Sequence, residues 1–209
     1  FYRANPEPNK GLDKLTNIYD INQGLEKSFL FQELLKPQIL EELNGILYHN
    51  TNAVHLGGEY EGIEKQRAFL LNEQEMIAEI RTAIQEDDYQ GAFERISNLT
   101  FGTWPRKKKD DPDADLKDQM KGIRDQYRKT IKSLQESFFT RSKEEHEEII
   151  QSTTPFIEEM IRVTKRFAAA YWQRKVSGNM LDFNDLEHLT LQILLHVENE
   201  TWLASEASL

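Results

Sequence analysis

The 209-residue sequence contains no cysteine, which excludes disulfide staples and thiolate metal sites and suits a reducing cytoplasm. It has no apolar run long enough to span a bilayer and no basic-then-apolar signal segment, so the expectation is a cytoplasmic protein with no membrane association. The chain opens at Phe1 rather than Met and is expected to be an internal excerpt of a longer polypeptide. Extended alternating β-branched runs, and the hairpins that would join them, are missing, and no segment reads as a strand. Neither a phosphate loop of the form G-x-x-x-x-G-K-S/T, nor a Gly-x-Ser-x-Gly elbow, nor a His-Glu-x-x-His pair occurs. His49, His55, His146, His188 and His196 are scattered, the Glu neighbours of His146 point around a whole helix, and no two carboxylates converge at catalytic spacing. No catalytic residue and no metal ligand is assigned. The formal charge of −10, from 26 Lys and Arg against 36 Asp and Glu, argues against a simple polyanion binder when taken as an average.

What the sequence does contain is helical periodicity, and the fold class expected is all-α, a multi-helix domain without significant sheet. Residues 1–11 read as an extended lead-in because of Pro6, Pro8 and Gly11. An N-terminal helical part follows over 12–98. In it Leu25, Phe29, Leu30 and Leu34 share a face, Pro37 marks a kink or restart, and Ile39, Leu40, Leu43, Ile46 and Leu47 continue at periods of three and four. His49 to Gly62 reads as a connection. Ile63, Leu70, Ile77 and Ile84 then recur every seven residues, which predicts core packing or a two-stranded coiled-coil arm. Asp87 or Asp88 caps a shorter helix carrying Tyr89, Ala92, Phe93 and Ile96. A charged loop over 99–115 separates this part from a C-terminal helical part over 116–209, the whole forming one domain.

The average charge hides a division. From Trp104 to Lys143 there are 12 Lys and Arg against 7 Asp and Glu, a local +5, which leaves −15 for the rest. In the loop, Arg106, Lys107, Lys108 and Lys109 precede Asp110, Asp111, Asp113 and Asp115. Such a loop is either functional or a solvated segment whose opposite charges cancel. In the following helix Leu116, Met120, Ile123, Tyr127, Ile131, Leu134 and Phe138 step by threes and fours. Lys117, Lys121, Arg124, Arg128 and Lys132 step almost as regularly, roughly a quarter-turn away. Two readings of this row stand side by side: phosphate contact along duplex DNA together with Arg106 to Lys109, or long side chains lying beside a core stripe with their charges in water. Ser142 and Glu145 form a capping box for a short acidic helix through Ile150. Thr154 and Pro155 begin a long helix as N-cap and first residue, with Ile157, Met160, Ile161, Thr164, Phe167, Ala168 and Tyr171 facing inward.

Near the C-terminus, Tyr171 to Lys175 and the break Ser177-Gly178-Asn179 lead into Leu181-Asp182-Phe183-Asn184-Asp185-Leu186-Glu187-His188. On local chemistry this is a helix, a tight turn and a second helix capped by Asp182 or Asn184, with Phe183 and Leu186 anchoring it in the core. The combination resembles the segment that precedes the Walker B strand in UvrD- and RecB-like superfamily 1 helicases. The form with Glu187 and His188 is most similar to the AddA (RexA) family of helicase and nuclease subunits. Phe101-Gly102-Thr103-Trp104, Ile123-Arg124-Asp125, Phe138-Phe139 and Pro155 to Phe167 fall in a similar order, so the resemblance covers most of the chain.

The resemblance implies a helical insertion, domain 1B, of an ATP-dependent DNA helicase and exonuclease acting in double-strand break repair and recombination. It implies ATP and Mg²⁺ for the parent, an AddB (RexB)-type partner subunit, and sequence-independent contact with duplex DNA near the motor. The segment itself, with no phosphate loop, Walker B strand or nuclease motif, is expected to be inactive. The alternative from another class is an acidic helical scaffold without DNA affinity, using the Ile63 to Ile84 stripe or Phe138-Phe139 as its protein contact.

Overall fold

The structure, a computed structural model, describes residues 8–58, 60–198 and 201–205. It divides into two compact units: a central unit of residues 21–149 and a terminal unit made of residues 1–20 and 150–209. These limits cut across the segments drawn from the sequence pattern.

The central unit begins with a 3₁₀ turn over Leu25–Lys27 and a π-helical turn over Leu30–Leu35, which runs into α2 (Lys36–Gly57) with Pro37 in its first turn. Pro37 sits where the π-helical turn, closed by Lys36 N–H to Phe31 O, gives way to α-helical pitch. The restart expected at Pro37 is therefore a change of helical pitch. α2 continues to Gly57, through most of the stretch read as a connection, and Gly58 ends it at φ +49°, a conformation glycine adopts without strain. α3 (Glu64–Gln85) and the shorter α4 (Tyr89–Ser97) pack on each other as a helical hairpin. Of the two candidate caps between them, Asp88 accepts the Gly91 N–H at 2.8 Å. Asp87 instead takes a left-handed φ of +62°, closes the α3 end in a Schellman turn through Asp88 N–H to Ala83 O, and binds Lys36 at 2.5 Å.

α5 (Ala114–Phe138) and the first turns of α6 (Lys143–Ser177) complete this unit. α2 packs against both α3 and α5, and α3 against α4. The heptad residues Ile63, Leu70, Ile77 and Ile84 are at most 1% exposed, Phe139 is buried and Phe138 half-buried. The surfaces on which a scaffold reading would rely are thus spent in the core. Tyr89 stacks on Phe139 with centroids 5.5 Å apart and donates its hydroxyl to Phe138 O at 2.6 Å, tying α4 to the end of α5.

The terminal unit holds α1 (Pro8–Ile18), the remainder of α6, α7 (Phe183–Leu194) and a short hairpin of β1 (Leu195–Glu198) and β2 (Thr201–Ala204). α1 takes in Pro8 to Gly11, which the sequence pattern assigns to an extended lead-in; residues 1–7 of that lead-in lie outside the described residues. The antiparallel pairs run from Leu195 with Ala204 to Glu198 with Thr201. The hairpin is the one strand pairing among the described residues, and the fold class is all-α.

Ser142 and Glu145 exchange both bonds of a capping box, at 2.9 and 3.3 Å, but the helix they open does not stop at Ile150. It runs on as α6 with Pro155 inside it. The Thr154 hydroxyl donates to Ile150 O at 2.8 Å where the proline removes a backbone donor one position on. α6 ends in a second Schellman turn: Asn179 sits at φ +51° and Met180 N–H reaches Lys175 O at 2.9 Å.

Candidate nucleic-acid interface

On α5, side-chain direction advances roughly 100° per residue. Taking Met120 as zero, Tyr127 lies at roughly −20°, Ile131 at +20°, Arg124 at +40°, Lys117 at +60°, Arg128 at +80°, Lys121 at +100° and Lys132 at +120°. Exposure follows this order. Arg124 is 1% and Lys117 5% exposed, Arg128 is half-buried, and Lys121 and Lys132 are exposed. The row of five is therefore two sets. Lys117 and Arg124 fall inside the buried arc and are withdrawn from any phosphate, while Lys121, Arg128 and Lys132 form a cationic edge.

Each withdrawn cation is paired, as burial requires. Lys117 Nζ donates to both oxygens of Asp111, at 2.9 and 2.7 Å. Asp111 also accepts the backbone N–H of Asp113 at 3.1 Å, so one carboxylate fixes the turn into α5. The Lys117 hydrogen bond, outweighing desolvation, holds that carboxyl below the usual range. Arg124 Nε donates to both oxygens of Glu73 at 3.0 Å, and its Nη2 donates to Glu73 at 2.6 Å and to Gly102 O at 2.9 Å. Tyr127 donates its hydroxyl to the same carboxylate and accepts from Asn50 Nδ2 at 3.2 Å. Burial first, and the Glu73 carboxylate next, push the Tyr127 phenol well up.

The guanidinium of Arg124 lies 4.9 Å from the Phe69 centroid, 5.8 Å from Phe101 and 5.6 Å from Trp104. Arg124 thereby fastens the Phe101-Gly102-Thr103-Trp104 segment to α3 and α5, and the Phe69 ring adds an edge-on contact to Trp104 at 5.9 Å. Beside it opens a cleft of about 600 Å³, lined by Phe101, Trp104, Arg106, Lys107, Lys121 and Arg128. The Arg128 guanidinium rests 4.8 Å over the Phe101 ring. Lys107 is held by Asp118 at 2.5 Å. Arg106, Lys108 and Lys109 are exposed and make no ion pair among the described residues. Lys107 and Asp111 are thus each paired with a side chain of α5 rather than with an opposite charge of the loop, and Arg106, Lys108 and Lys109 face water next to the α5 edge.

Glu73 and Asn50 escaped the reading of the sequence, and Gly102 entered it only as part of the Phe101 to Trp104 run. A signal for Glu73 existed: on α3 it lies roughly 40° from Ile77, inside the apolar stripe, where a carboxylate needs a partner. That its partner would be Arg124, 51 residues on, is a fact of tertiary packing.

In the terminal unit, Leu181 to His188 forms the break and capped helix expected. Asp182, not Asn184, is the cap, in a reciprocal box with Asp185: Asp185 N–H to Asp182 at 3.0 Å and Asp182 N–H to Asp185 at 2.8 Å. Lys175 reaches Asp182 at 3.1 Å and also pairs with Asp185. Desolvation pulls the Lys175 ammonium down, and these two carboxylates more than offset it, leaving it above the usual lysine range. The core role expected of Phe183 and Leu186 fails: Phe183 is 84% and Leu186 49% exposed. Glu187 is exposed and His188 half-buried. The inward face expected on α6 is likewise mostly outward, with Met160 at 67%, Phe167 at 68% and only Ile161 buried. Among the described residues no three His, Asp or Glu side chains gather as a metal site, and no helix is long and apolar enough to cross a membrane.

No protein-family model matches the chain. It is 33% identical over 210 residues to the ATP-dependent helicase/nuclease A-subunit of Enterococcus faecalis, an alignment that covers 100% of this chain and 16% of the relative. Proteins of the same name from Bacillus cereus and Bacillus thuringiensis are each 28% identical, over 198 and 192 residues, covering 95% and 92% of this chain. The chain spans 16% of the length of the first two relatives and 15% of the third.

Proposed function

The chain belongs to the family of ATP-dependent helicase/nuclease A-subunits, and from that premise we propose that it is the helical 1B region of such a protein, contacting duplex DNA through phosphates beside the motor. The observation that carries this reading is the surface of the central unit. Within a chain of formal charge −10, the exposed Arg106, Lys108, Lys109, Lys121 and Lys132, with the half-buried Arg128, are concentrated along α5 and its preceding loop. Such an edge neutralises phosphates and reads no base.

The parent's work is proposed from the family: ATP-driven unwinding and exonuclease action in double-strand break repair and recombination, in the cytoplasm, with an AddB (RexB)-type second subunit. ATP and Mg²⁺ are proposed to bind elsewhere in the parent. The residues present do not fit them, because the sequence contains no phosphate loop whose backbone N–H groups would hold the phosphates.

The test uses the full-length protein without nucleotide, on two unrelated duplexes across a salt series. The pair Lys121→Ala and Lys132→Ala is expected to weaken both duplexes about equally and to flatten log K against log salt by about one unit for each phosphate no longer neutralised. The pair Lys108→Ala and Lys109→Ala is expected to do the same. Unchanged affinity and slope in both pairs would remove this surface from the DNA path. Arg124 is unsuited to the experiment, since its removal breaks the core.

A further inference from the structure

The Phe101 to Trp104 segment takes no part in the phosphate contacts, yet it forms one wall of the cleft beside the α5 edge. At about 600 Å³ that cleft falls within the roughly 300–1,000 Å³ of small-ligand sites. Its walls carry aromatic rings as well as cations. Phe101 and Trp104 are each half-buried, and the Arg128 guanidinium lies over the Phe101 ring. The loop wall is also held from behind. Phe69 backs Trp104, a Cβ at Gly102 would come within 2.9 Å of the Phe69 ring, and Gly102 O accepts from the buried Arg124. The cleft is therefore formed before any ligand arrives. Its charge is mixed: the exposed Arg106 and Lys121 line it, but so do Asp118 and Asp125. Carboxylates inside oppose a phosphate there and tolerate a neutral ring.

We propose that this cleft receives one unpaired nucleobase of a DNA strand, stacked on Trp104 and on Arg128 over Phe101, while Arg106 and Lys121 neutralise its flanking phosphates. Two features select that occupant. A paired duplex keeps its base faces stacked on one another and offers an edge such as α5 its phosphates, for which lysine and arginine suffice. Aromatic rings and a guanidinium beside those cations serve a base whose π-face is free. The mixed charge of the cleft then separates the two parts of the nucleotide, with the neutral base inside and the phosphates against the cations. The proposal rests on the reading of α5 as an edge that faces DNA, and adds to it the recognition of single-stranded nucleotides.

The test uses the full-length protein without nucleotide and duplexes that carry an unpaired tail on one strand or the other. A photoreactive 5-iodouracil base is placed at successive tail positions, and each position is then paired by extending the complementary strand. After irradiation, peptide mapping is expected to find an adduct on Phe101 or Trp104 from an unpaired position and to lose it when that base is paired. No adduct on either residue from any position, or equal yields from paired and unpaired bases, would overturn the proposal. As a second readout, Trp104→Leu keeps an apolar side chain against Phe69. It is expected to weaken binding of a tail that carries bases about tenfold and to leave binding of an abasic tail unchanged. Equal weakening of both tails would show that Trp104 only shapes the loop, and the base site would fall. The lysine pairs are read on blunt duplexes, which have no unpaired base, so failure of the phosphate edge and failure of the base cleft are told apart.

Discussion

The Glu73–Arg124 pair offers the sharpest test, because burial and partners set its magnitude from both sides. Both side chains are 2% exposed, and Arg124 makes three bonds to Glu73 and one to Gly102 O. In Arg124→Met the apolar stem is kept, but Glu73 is left as a buried carboxylate supported only by the Tyr127 hydroxyl, and Gly102 O loses its donor. Breaking one side of a buried pair costs about 3–5 kcal/mol. Glu73→Leu, which strands the guanidinium, is expected to cost a similar amount. The double variant removes both charges and refills the space, and such replacements are often neutral or stabilising by about 1–4 kcal/mol. The two losses should therefore be far from additive, with a coupling of about 6 kcal/mol or more when the double variant is neutral or better. Native-state hydrogen exchange on α3 and α5 peptides of the full-length protein reads the opening free energy without assuming a single unfolding transition. If Arg124→Met costs less than about 1 kcal/mol, or if the two single losses simply add, the pair is not a buried, mutually dependent element.

Four further outcomes follow from other parts of the molecule. Arg124→Lys retains the charge but not the fork that spans Glu73 and Gly102 O, so trypsin should cut faster at Arg106 to Lys109 while the α2 core stays protected; unchanged cleavage would deny that Arg124 fastens the loop. Asp111→Asn should likewise release the turn into α5, because it weakens the pairing with Lys117; hydrogen exchange confined to residues 101–118 is the check. The phenol of Tyr127 is raised by burial and by Glu73, and that of Tyr89 by burial. The folded state then holds these protons more tightly than the unfolded one, so the stability they contribute is complete below a pH of about 10 and is lost as pH rises above it. Tyrosinate absorbance from both residues should appear only together with unfolding. Asp182→Ala removes a capping bond and one partner of Lys175, and should lower the local stability of α7 by about 1 kcal/mol, read by exchange of the 183–190 amides.

The contrast between what the sequence disclosed and what it withheld follows from range. The capping box at Ser142 and Glu145, the Asp182 cap and the Asn179 break rest on bonds between residues at most five apart, so residue type and spacing located the box and the break and narrowed the cap to Asp182 or Asn184. Pro155 misled because its penalty is local whereas its compensation comes from packing and from the Thr154 hydroxyl. The row on α5 misled for a geometric reason. A quarter-turn describes the mean offset between the cationic and apolar positions, but steps of three and four residues shift each position by tens of degrees, which places Arg124 inside the buried arc and Lys121 outside it. A pattern of apolar spacing also says which residues share a face and not whether that face is covered. For Ile63 to Ile84 the cover lies within the 209 residues, and the inward reading holds. For Phe156 to Tyr171 and for Phe183 the same apolar spacing is present and the residues are exposed, so spacing alone does not separate a covered stripe from an exposed one.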